Sequence, residues 1–444
     1  MRYVLALLAL LLVQAAPRAQ DVSVGAIRWD DWLPDSPDVA LLDNPQWRSR
    51  LPFHAARDAE GRLRINGALE NVLAAENAYA RAGGLDYFVF GLYPEAASWG
   101  RRPARQLALN RALVSFLRLE DRSGMRFTVS LNQSFPQDDF ADVAETLAQL
   151  VAHPDYLRTP DGRAPVFLFG HEPESWSRSL GSPERFRDAF ARLREAVRER
   201  SGVPLLAVFL HANPQRGAEL ARALGMDVLS AYVVPAGSGG RAVPYADCVA
   251  RMRTHWRALA DSGLPFLPNM TTGWDYRPRI EARGQRTDAP NGPNWCEPPQ
   301  RGELGAALRE ARQAATSDFR SVLVYGWNEF TEGGWLSPTR AEGVARLAEF
   351  RQVLSPRSPA RDVVLSWPDL GVTAPDCALR STARDRGATL RACRRSGAEA
   401  WPCPPGMAVR SDTVRAPSGL EALWHDGAWA VRRCVAEAPA DRAD

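Results

Sequence analysis

The sequence predicts a (β/α)8 barrel followed by a small, disulfide-stapled, β-rich module. Three observations predict it. Eight short apolar runs alternate with eight helix-like stretches over most of the chain, which is the pattern of a parallel sheet covered by helices. The runs lack polar alternation, as strands buried on both faces do. The last run ends abruptly in two carboxylates, an amide and two indoles, reading VYGWNEFTEGGW from Val324 to Trp335. A doubly wound open sheet is the alternative, but no Gly-rich dinucleotide fingerprint follows the first strand. No short fixed repeat is visible.

The elements follow in order. Val22–Trp29 is the first strand and Ile65–Ala82 its helix. Asp86–Tyr93 and Arg105–Leu119 form the second unit, and Arg126–Asn132 and Phe140–Ala152 the third. Pro165–Gly170 and Pro183–Arg200 are the fourth, and Pro204–Leu210 and Pro214–Leu224 the fifth. Asp227–Val233 and Tyr245–Ala260 are the sixth. Leu264–Met270, a long loop and Gly302–Ala315 are the seventh, and Ser321–Tyr325 and Arg340–Leu354 the eighth. Ser355–Pro359 reads as a linker. Beyond it Val363–Leu365, Ala388–Ala392 and Ala428–Val431 look like strands, with Trp367, Trp401, Trp424 and Trp429 supplying a small core.

The domain reading is therefore a signal peptide over 1–20, a catalytic barrel over 21–355 and a Cys-rich domain over 362–438. Arg2, the apolar run Val4–Val13 and the small-residue sites at Val13-Gln14-Ala15 and Ala19 have the order of an export signal. The run is too short to span a bilayer as a helix, and no later segment is apolar enough to do so. The mature protein is expected to be exported, soluble and monomeric. Four of the six cysteines, Cys377, Cys393, Cys403 and Cys434, crowd into the tail. In an exported chain they read as two disulfides in one of three pairings. Zinc is the competitor, but no C-x-x-C pair is present. Cys248 and Cys296 either pair or stay reduced.

Composition excludes several functions. Hydrophobic and charged fractions of 45% and 24% are those of an ordinary globular chain, and a net charge of +3 gives no reason to expect nucleic acid as a partner. All 55 basic residues of the Lys and Arg class are arginine, so Schiff-base and P-loop lysines are absent. No G-x-S-x-G elbow follows a strand. Neither metal nor any other cofactor is expected, although His171, Glu172, His211 and Asp275 could in principle approach one another.

In such a barrel the active site lies at the C-terminal ends of the strands. That rule nominates Trp29, Asp30, Asp31 and Trp32 after the first strand, and Tyr93, Glu95 and Trp99 after the second. Asn132 and Gln133 end the third. His171, Glu172, Glu174 and Trp176 follow the fourth, and His211 and Asn213 the fifth. Tyr232 ends the sixth, and Asn269, Thr271, Trp274 and Asp275 accompany the seventh. The eighth delivers Trp327, Asn328, Glu329, Glu332 and Trp335. Paired carboxyls divide acid and base roles in glycoside cleavage, indole faces stack on sugar rings, and amides bind hydroxyls. The expected ligand is a poly- or oligosaccharide, with Glu329 and Glu332 as the catalytic pair. Glu172 paired across the barrel with Glu329 is a second possible arrangement.

The segment WNEFTEGGWLSP, Trp327–Pro338, resembles the W-N-E-[FW]-x-E-G motif of glycoside hydrolase family 99, and above all its bacterial "family 99-like" (WbsX-like) branch. DYFVFGLY at Asp86, the stretch Leu109–Asn132, the stretch His153–Gly170 and NMTTGWDYRPR at Asn269 are similar to successive segments of that branch. The resemblance covers about 22–355. It implies a barrel glycosidase cleaving an α-linked, mannose- or rhamnose-like sugar with retention. One Glu draws the proton from the sugar's 2-hydroxyl, giving a 1,2-anhydro sugar, and the other protonates the leaving oxygen and later activates water. By motif position Glu329 is the base and Glu332 the general acid/base. The chain departs from the family at Arg28-Trp29-Asp30-Asp31, where relatives carry Y-Y-x-P-x-W. It also has Thr331 in place of a His and Leu336-Ser337-Pro338 without a Glu before the Pro. A non-catalytic glycan-binding or polysaccharide-assembly protein is the alternative reading, and a glycosyltransferase a weaker one.

Overall fold

The computed structural model describes residues 22–58, 60–93, 108–131, 140–169, 180–354, 363–368, 381–385, 388–392, 401–414 and 429–436. The barrel strands are β1 (Ser23–Ile27), β2 (Tyr87–Leu92), β3 (Arg126–Leu131), β4 (Ala164–Phe169), β5 (Leu205–Leu210), β6 (Val228–Ser230), β7 (Asn269–Thr271) and β8 (Ser321–Tyr325). They form one eight-stranded sheet in the order β7-β8-β1-β2-β3-β4-β5-β6, with every pairing parallel. The ring closes through a parallel bridge between Leu229 and Phe266. There Leu229 N–H donates to the Pro265 carbonyl and Leu267 N–H to the Leu229 carbonyl, both at 2.8 Å. The fold is a (β/α)8 barrel.

Barrel helices α1 (Glu70–Gly83), α2 (Arg111–Arg118), α3 (Ala141–Ala152), α4 (Pro183–Ser201), α5 (Pro214–Leu224), α6 (Tyr245–Asp261), α7 (Glu303–Ala314) and α8 (Ala345–Leu354) alternate with the strands. Their starts follow local chemistry. Ser182 and Asn213 accept from the backbone N–H three residues on, and Pro183 and Pro214 occupy first-turn positions that need no donor. The expected helices at Ile65 and Arg340 begin later, at Glu70 and Ala345, and the start of the expected Arg105–Leu119 helix lies outside the described residues. Apolar residues ahead of them pack in loops without joining the helical ladder. β6 and β7 are shorter than expected, spanning Val228–Ser230 and Asn269–Thr271.

Alternate strand residues divide between two cores. Phe88, Phe90, Val322 and Val324 face the helices, whereas Tyr87, Val89, Phe167, Val208 and Leu323 fill the barrel. Gly25 makes room for one of these. A Cβ there would meet the Tyr87 ring at 2.1 Å, and the Tyr87 hydroxyl lies 2.8 Å from Ser321 Oγ.

The tail holds small antiparallel sheets. Trp429–Ala436 pairs with Val363–Pro368 and with Met407–Val414, and Ser381–Asp385 pairs with Ala388–Ala392. Cys403 and Cys434 are bonded, as are Cys248 and Cys296. Cys377, Cys393 and Trp424 lie outside the described residues. Trp401 does not serve a separate small core. It packs edge-on against Phe53 at 4.9 Å, and the Tyr79 hydroxyl donates to the Pro402 carbonyl at 2.6 Å. The tail therefore rests on α1 and the loop before it.

Two predictions follow from this packing. Gly25→Ala should destabilise the barrel by at least about 1–3 kcal/mol in denaturant titration, because the Tyr87 ring cannot retreat from a filled interior. The second concerns acid. Burial, with the charges of Arg28 and Arg340, lowers His54 to about 3, and neither ring nitrogen has a partner among the described residues. The unfolded chain takes up a proton below the ordinary histidine value and the folded chain does not, so stability falls as pH drops below about 6.5. His54→Leu should reduce the loss of unfolding free energy between pH 7 and pH 5 by about 2 kcal/mol.

Candidate active site

The eighth strand leaves the barrel through a cis Tyr325–Gly326 peptide and turns into a tight hairpin. Asn328 pairs with Trp335 and Glu329 with Gly334 across an antiparallel ladder. Glu332 N–H donates to the Glu329 carbonyl at 3.1 Å. Both glutamates thus project from one turn at the C-terminal end of the strands. The turn is pressed against the loop after β7. Asp275 N–H donates to the Glu332 carbonyl at 2.6 Å. A Cβ on Gly333, which has φ 84°, would lie 2.5 Å from the Asp275 nitrogen.

Glu329 is 2% exposed and Glu332 9% exposed. The Tyr232 hydroxyl donates to Glu329 Oε1, and Glu329 Oε2 is buried with no partner among the described residues. Glu332 is bonded on both oxygens. Its Oε1 accepts from Arg279 and its Oε2 from the Tyr325 hydroxyl at 2.6 Å. Arg279 also donates through Nη2 to Asp38 Oδ2 at 2.5 Å and through Nε to Thr331 Oγ1 at 3.1 Å. The Tyr232 and Tyr325 rings stand 5.4 Å apart, linking the two carboxyls from below.

Burial pushes the Glu329 carboxyl well above the usual carboxylate range. The neighbouring Glu332 charge adds to this, while Arg279 and the Tyr232 hydrogen bond oppose it. The Tyr232 and Tyr325 phenols are likewise raised, by burial first and then by the two glutamates. Arg279 is held firmly charged: desolvation opposes the charge, but Glu332, Glu329 and Asp38 outweigh it.

Other nominated residues divide into two groups. Trp29 and Trp274 each present a buried indole N–H without a partner among the described residues, and Asp30 Oδ2 is in the same condition. Arg28 holds the other Asp30 oxygen at 3.0 Å, and burial raises the Asp30 carboxyl against that pull. Trp274 stacks on Tyr276 at 5.7 Å. Trp29 and Asp31 line a cleft of about 310 Å³ with Asp38, Tyr276, Arg279 and Arg283. Tyr93 is buried at the same end and acts electrostatically on Tyr232.

The second group makes its hydrogen bonds and ion pairs within the protein. Trp327 is fully buried and donates to Glu76 at 2.9 Å. Both polar atoms of the Asn328 amide bind the Trp29 backbone, at 2.7 and 2.8 Å, tying β1 to β8. Asp275 is ion-paired to Arg50 and to Arg277, the latter at 2.8 Å. Trp335 lies under the Arg346 guanidinium at 3.8 Å and donates to Glu342. His211 Nδ1 faces the backbone of Asn213, whose side chain caps α5. Asn269 donates to the Ala231 and Tyr232 carbonyls, a β6–β7 brace. Glu95, Trp99, Asn132, Gln133, His171, Glu172, Glu174 and Trp176 lie outside the described residues. Among the described residues no group of three or more His, Cys, Asp or Glu side chains is placed to hold a metal ion.

Three functional neighbours escaped the sequence reading. Tyr325 was legible in principle, being two residues past inward-facing Leu323. Arg279 lies in the quoted segment after β7, and nothing in the order of residues separates it from Arg277. Asp38, in the short helix Pro37–Leu42, carries no sequence signal.

No protein-family model matches the chain, and no curated protein does. Among solved structures the chain is similar to a glycoside hydrolase-like protein, at 13% identity over 75% of this chain and 94% of that one, with a TM-score of 0.49. It is also similar to a family 99 endo-alpha-mannosidase from Bacteroides thetaiotaomicron, at 14% identity over 76% and 96% of the two chains, with a TM-score of 0.45. An exo-beta-1,4-mannosidase from Opitutaceae bacterium strain TAV5 follows at 16% identity, covering 75% of this chain and 59% of that one, with a TM-score of 0.39. The barrel itself is established by strand order and register, independently of these likenesses.

Removing the buried carboxyl should relieve a cost. A Glu raised above its unfolded value keeps its proton while the unfolded chain ionises, so it lowers stability as pH rises through the ordinary carboxylate range. Glu329→Gln should therefore unfold later than wild type, by about 1–3 kcal/mol at pH 7 and by less at pH 4. Thermal melts at the two pH values read the difference.

Proposed function

We propose that the chain is an exported glycoside hydrolase with Glu329 and Glu332 as its catalytic pair. One observation carries the reading: two adjacent carboxyls stand at the C-terminal end of β8, and one of their oxygens, like the indole N–H groups of Trp29 and Trp274, has no partner among the described residues. A barrel serving only as scaffold gains nothing from leaving such groups unsatisfied, since each costs free energy. A sugar supplies what they lack. Its hydroxyls accept from Trp29 and Trp274, donate to Asp30, and its ring lies against indole.

The motif resemblance at Trp327–Gly333 favours an α-linked, mannose- or rhamnose-like sugar. It also favours retention through a 1,2-anhydro intermediate, which requires the 2-hydroxyl trans to the leaving group. The cleft beside Arg279, with Trp29 and Tyr276 as walls, gives room for a second sugar unit, so the substrate is read as an oligo- or polysaccharide. Export rests on the 1–20 signal pattern, and the Cys248–Cys296 and Cys403–Cys434 bonds suit an oxidising compartment. No described helix is long and apolar enough to cross a membrane. The barrel over 21–355 is the catalytic unit, and the 362–438 segment braces it through Trp401 and Pro402.

The test is a panel of α-mannans, α-rhamnans and capsular glycans, with new reducing ends as readout. Wild type should cleave at least one, and Glu329→Gln and Glu332→Gln should each lower kcat by about 10²–10⁴-fold. Cleavage at full rate by both variants refutes the pair. A second reading has one observation in its favour: both Glu332 oxygens are already bonded. It is a glycan-binding protein that kept the barrel, and it expects affinity without turnover, unchanged in the Gln variants.

A further inference from the structure

Between β1 and α1 lies a stretch that no motif nominates, and its Arg50 is buried against the turn that carries both glutamates. Asn44 accepts from the Gln46 N–H at 3.1 Å and Pro45 fills a first-turn position, so a 3₁₀ helix runs from Pro45 to Arg50. Contacts on either side hold that helix in place. Phe53 N–H donates to the Pro338 carbonyl at 3.0 Å, and Arg340 N–H to the Leu51 carbonyl at 2.9 Å. The Trp47 indole N–H reaches Glu281 Oε2 at 3.1 Å, on the short helix Arg277–Ala282 of the loop after β7.

We propose that Arg50 is a positioning residue that clamps the turn bearing Glu329 and Glu332 to the loop after β7, and so sets where the two carboxyls stand. That these carboxyls are the catalytic pair rests on the glycosidase reading; the clamp itself does not.

The guanidinium grips both loops by their backbones. Its Nη1 donates to the Phe330 carbonyl and to the Asp275 carbonyl, each at 3.2 Å, and its Nη2 donates to Asp275 Oδ2. Phe330 stands directly after Glu329. Asp275 in turn donates its N–H to the Glu332 carbonyl at 2.6 Å. Arg50, Asp275 and residues 330–332 thus close a ring of hydrogen bonds around the chain between the two carboxyls. The guanidinium carbon lies 4.4 Å from the Trp47 ring and 5.8 Å from the Trp335 ring, which fix its plane. An arginine suits this place because its donors are spread over a planar fork, whereas a lysine gathers its donors on one atom.

A backbone grip matters here because the turn continues into Gly333 and Gly334, which have no side chains to pack. Without Arg50, two buried carbonyls lose a charged donor and the turn shifts to satisfy them. The glutamates move with their backbone, and a displacement of about 1 Å at reacting groups costs about 10²-fold in rate. Arg277 separates this role from simple charge balance. It bonds the same Asp275 carboxylate through Nε and Nη2, both at 2.8 Å, and its guanidinium binds no backbone carbonyl among the described residues.

The experiment compares the full chain with Arg50→Lys, Arg50→Met and Arg277→Gln. Amide hydrogen exchange read by mass spectrometry needs no substrate. Both Arg50 variants should speed exchange by about tenfold or more in 272–282 and 326–337 together, while β2–β5 exchange as in wild type. Arg277→Gln should move these segments far less. On whichever glycan wild type cleaves, Arg50→Lys should lower kcat by about 10²-fold and change KM far less, since Arg50 is not a wall of the cleft beside Arg279. Unchanged exchange in either segment overturns the proposal. A rise spread evenly over the barrel, or failure of both Arg50 variants to fold, makes Arg50 a general support and also overturns it. An equal effect of Arg277→Gln reduces Arg50 to balancing the Asp275 charge, with the same consequence. The two readings fail separately. Faster exchange in both segments without cleavage of any glycan by wild type removes the glycosidase and keeps the clamp, whereas cleavage by Arg50→Lys at the wild-type kcat removes the positioning role and keeps the glycosidase.

Discussion

Glu329 and Glu332 leave one turn of the chain three residues apart, and removing two carboxyl groups from water at adjacent positions costs several kcal/mol unless each is compensated. The surroundings supply that compensation unequally. Glu332 receives a guanidinium and a phenol, Glu329 a phenol alone. The inequality leaves burial as the largest influence on the Glu329 carboxyl, which is raised well above the usual carboxylate range.

Holding that arrangement requires the loop after β7 to meet the turn after β8 almost backbone to backbone. Gly333 and Gly334 permit it, since a Cβ on either would collide with Asp275 or Tyr325. The same contact places Arg279 over Glu332. A second constraint runs to β1, where the Asn328 amide grips the Trp29 backbone and the Trp32 indole donates to the Asn328 carbonyl. Asn328, nominated as a ligand contact, also fastens neighbouring strands. Polar atoms of Trp29, Asp30, Trp274 and Glu329 stay buried without a partner among the described residues.

The interior beneath the site has its own logic. Inward-facing residues fill the barrel up to Phe169 and Tyr232, and above them the Tyr232 and Tyr325 hydroxyls donate to the two glutamates. The phenols lie deep, and the carboxylates they face raise the cost of ionising them. They therefore remain donors across the physiological range.

Strand identity and order were readable because apolar runs between Pro, Gly and Asn punctuation report burial directly, and a parallel barrel then dictates which strand end carries chemistry. The glutamate pair was readable for the same reason: an apolar strand ending in acids, indoles and glycines has few structural excuses. Helix starts at Ile65 and Arg340 were misjudged because apolar residues in packed loops imitate helical periodicity.

By itself the sequence determined the barrel, the rim and the two acids on it, since these depend on local patterning and on one topological rule. Only the tertiary structure decided which rim residues face the pocket and which brace it. Trp327 and Asn328 turned inward to neighbours, while Arg279 and Asp38, 241 positions apart in the chain, came together beside Glu332. Such pairings arise from where loops cross above the barrel, and no periodicity in the chain encodes that crossing.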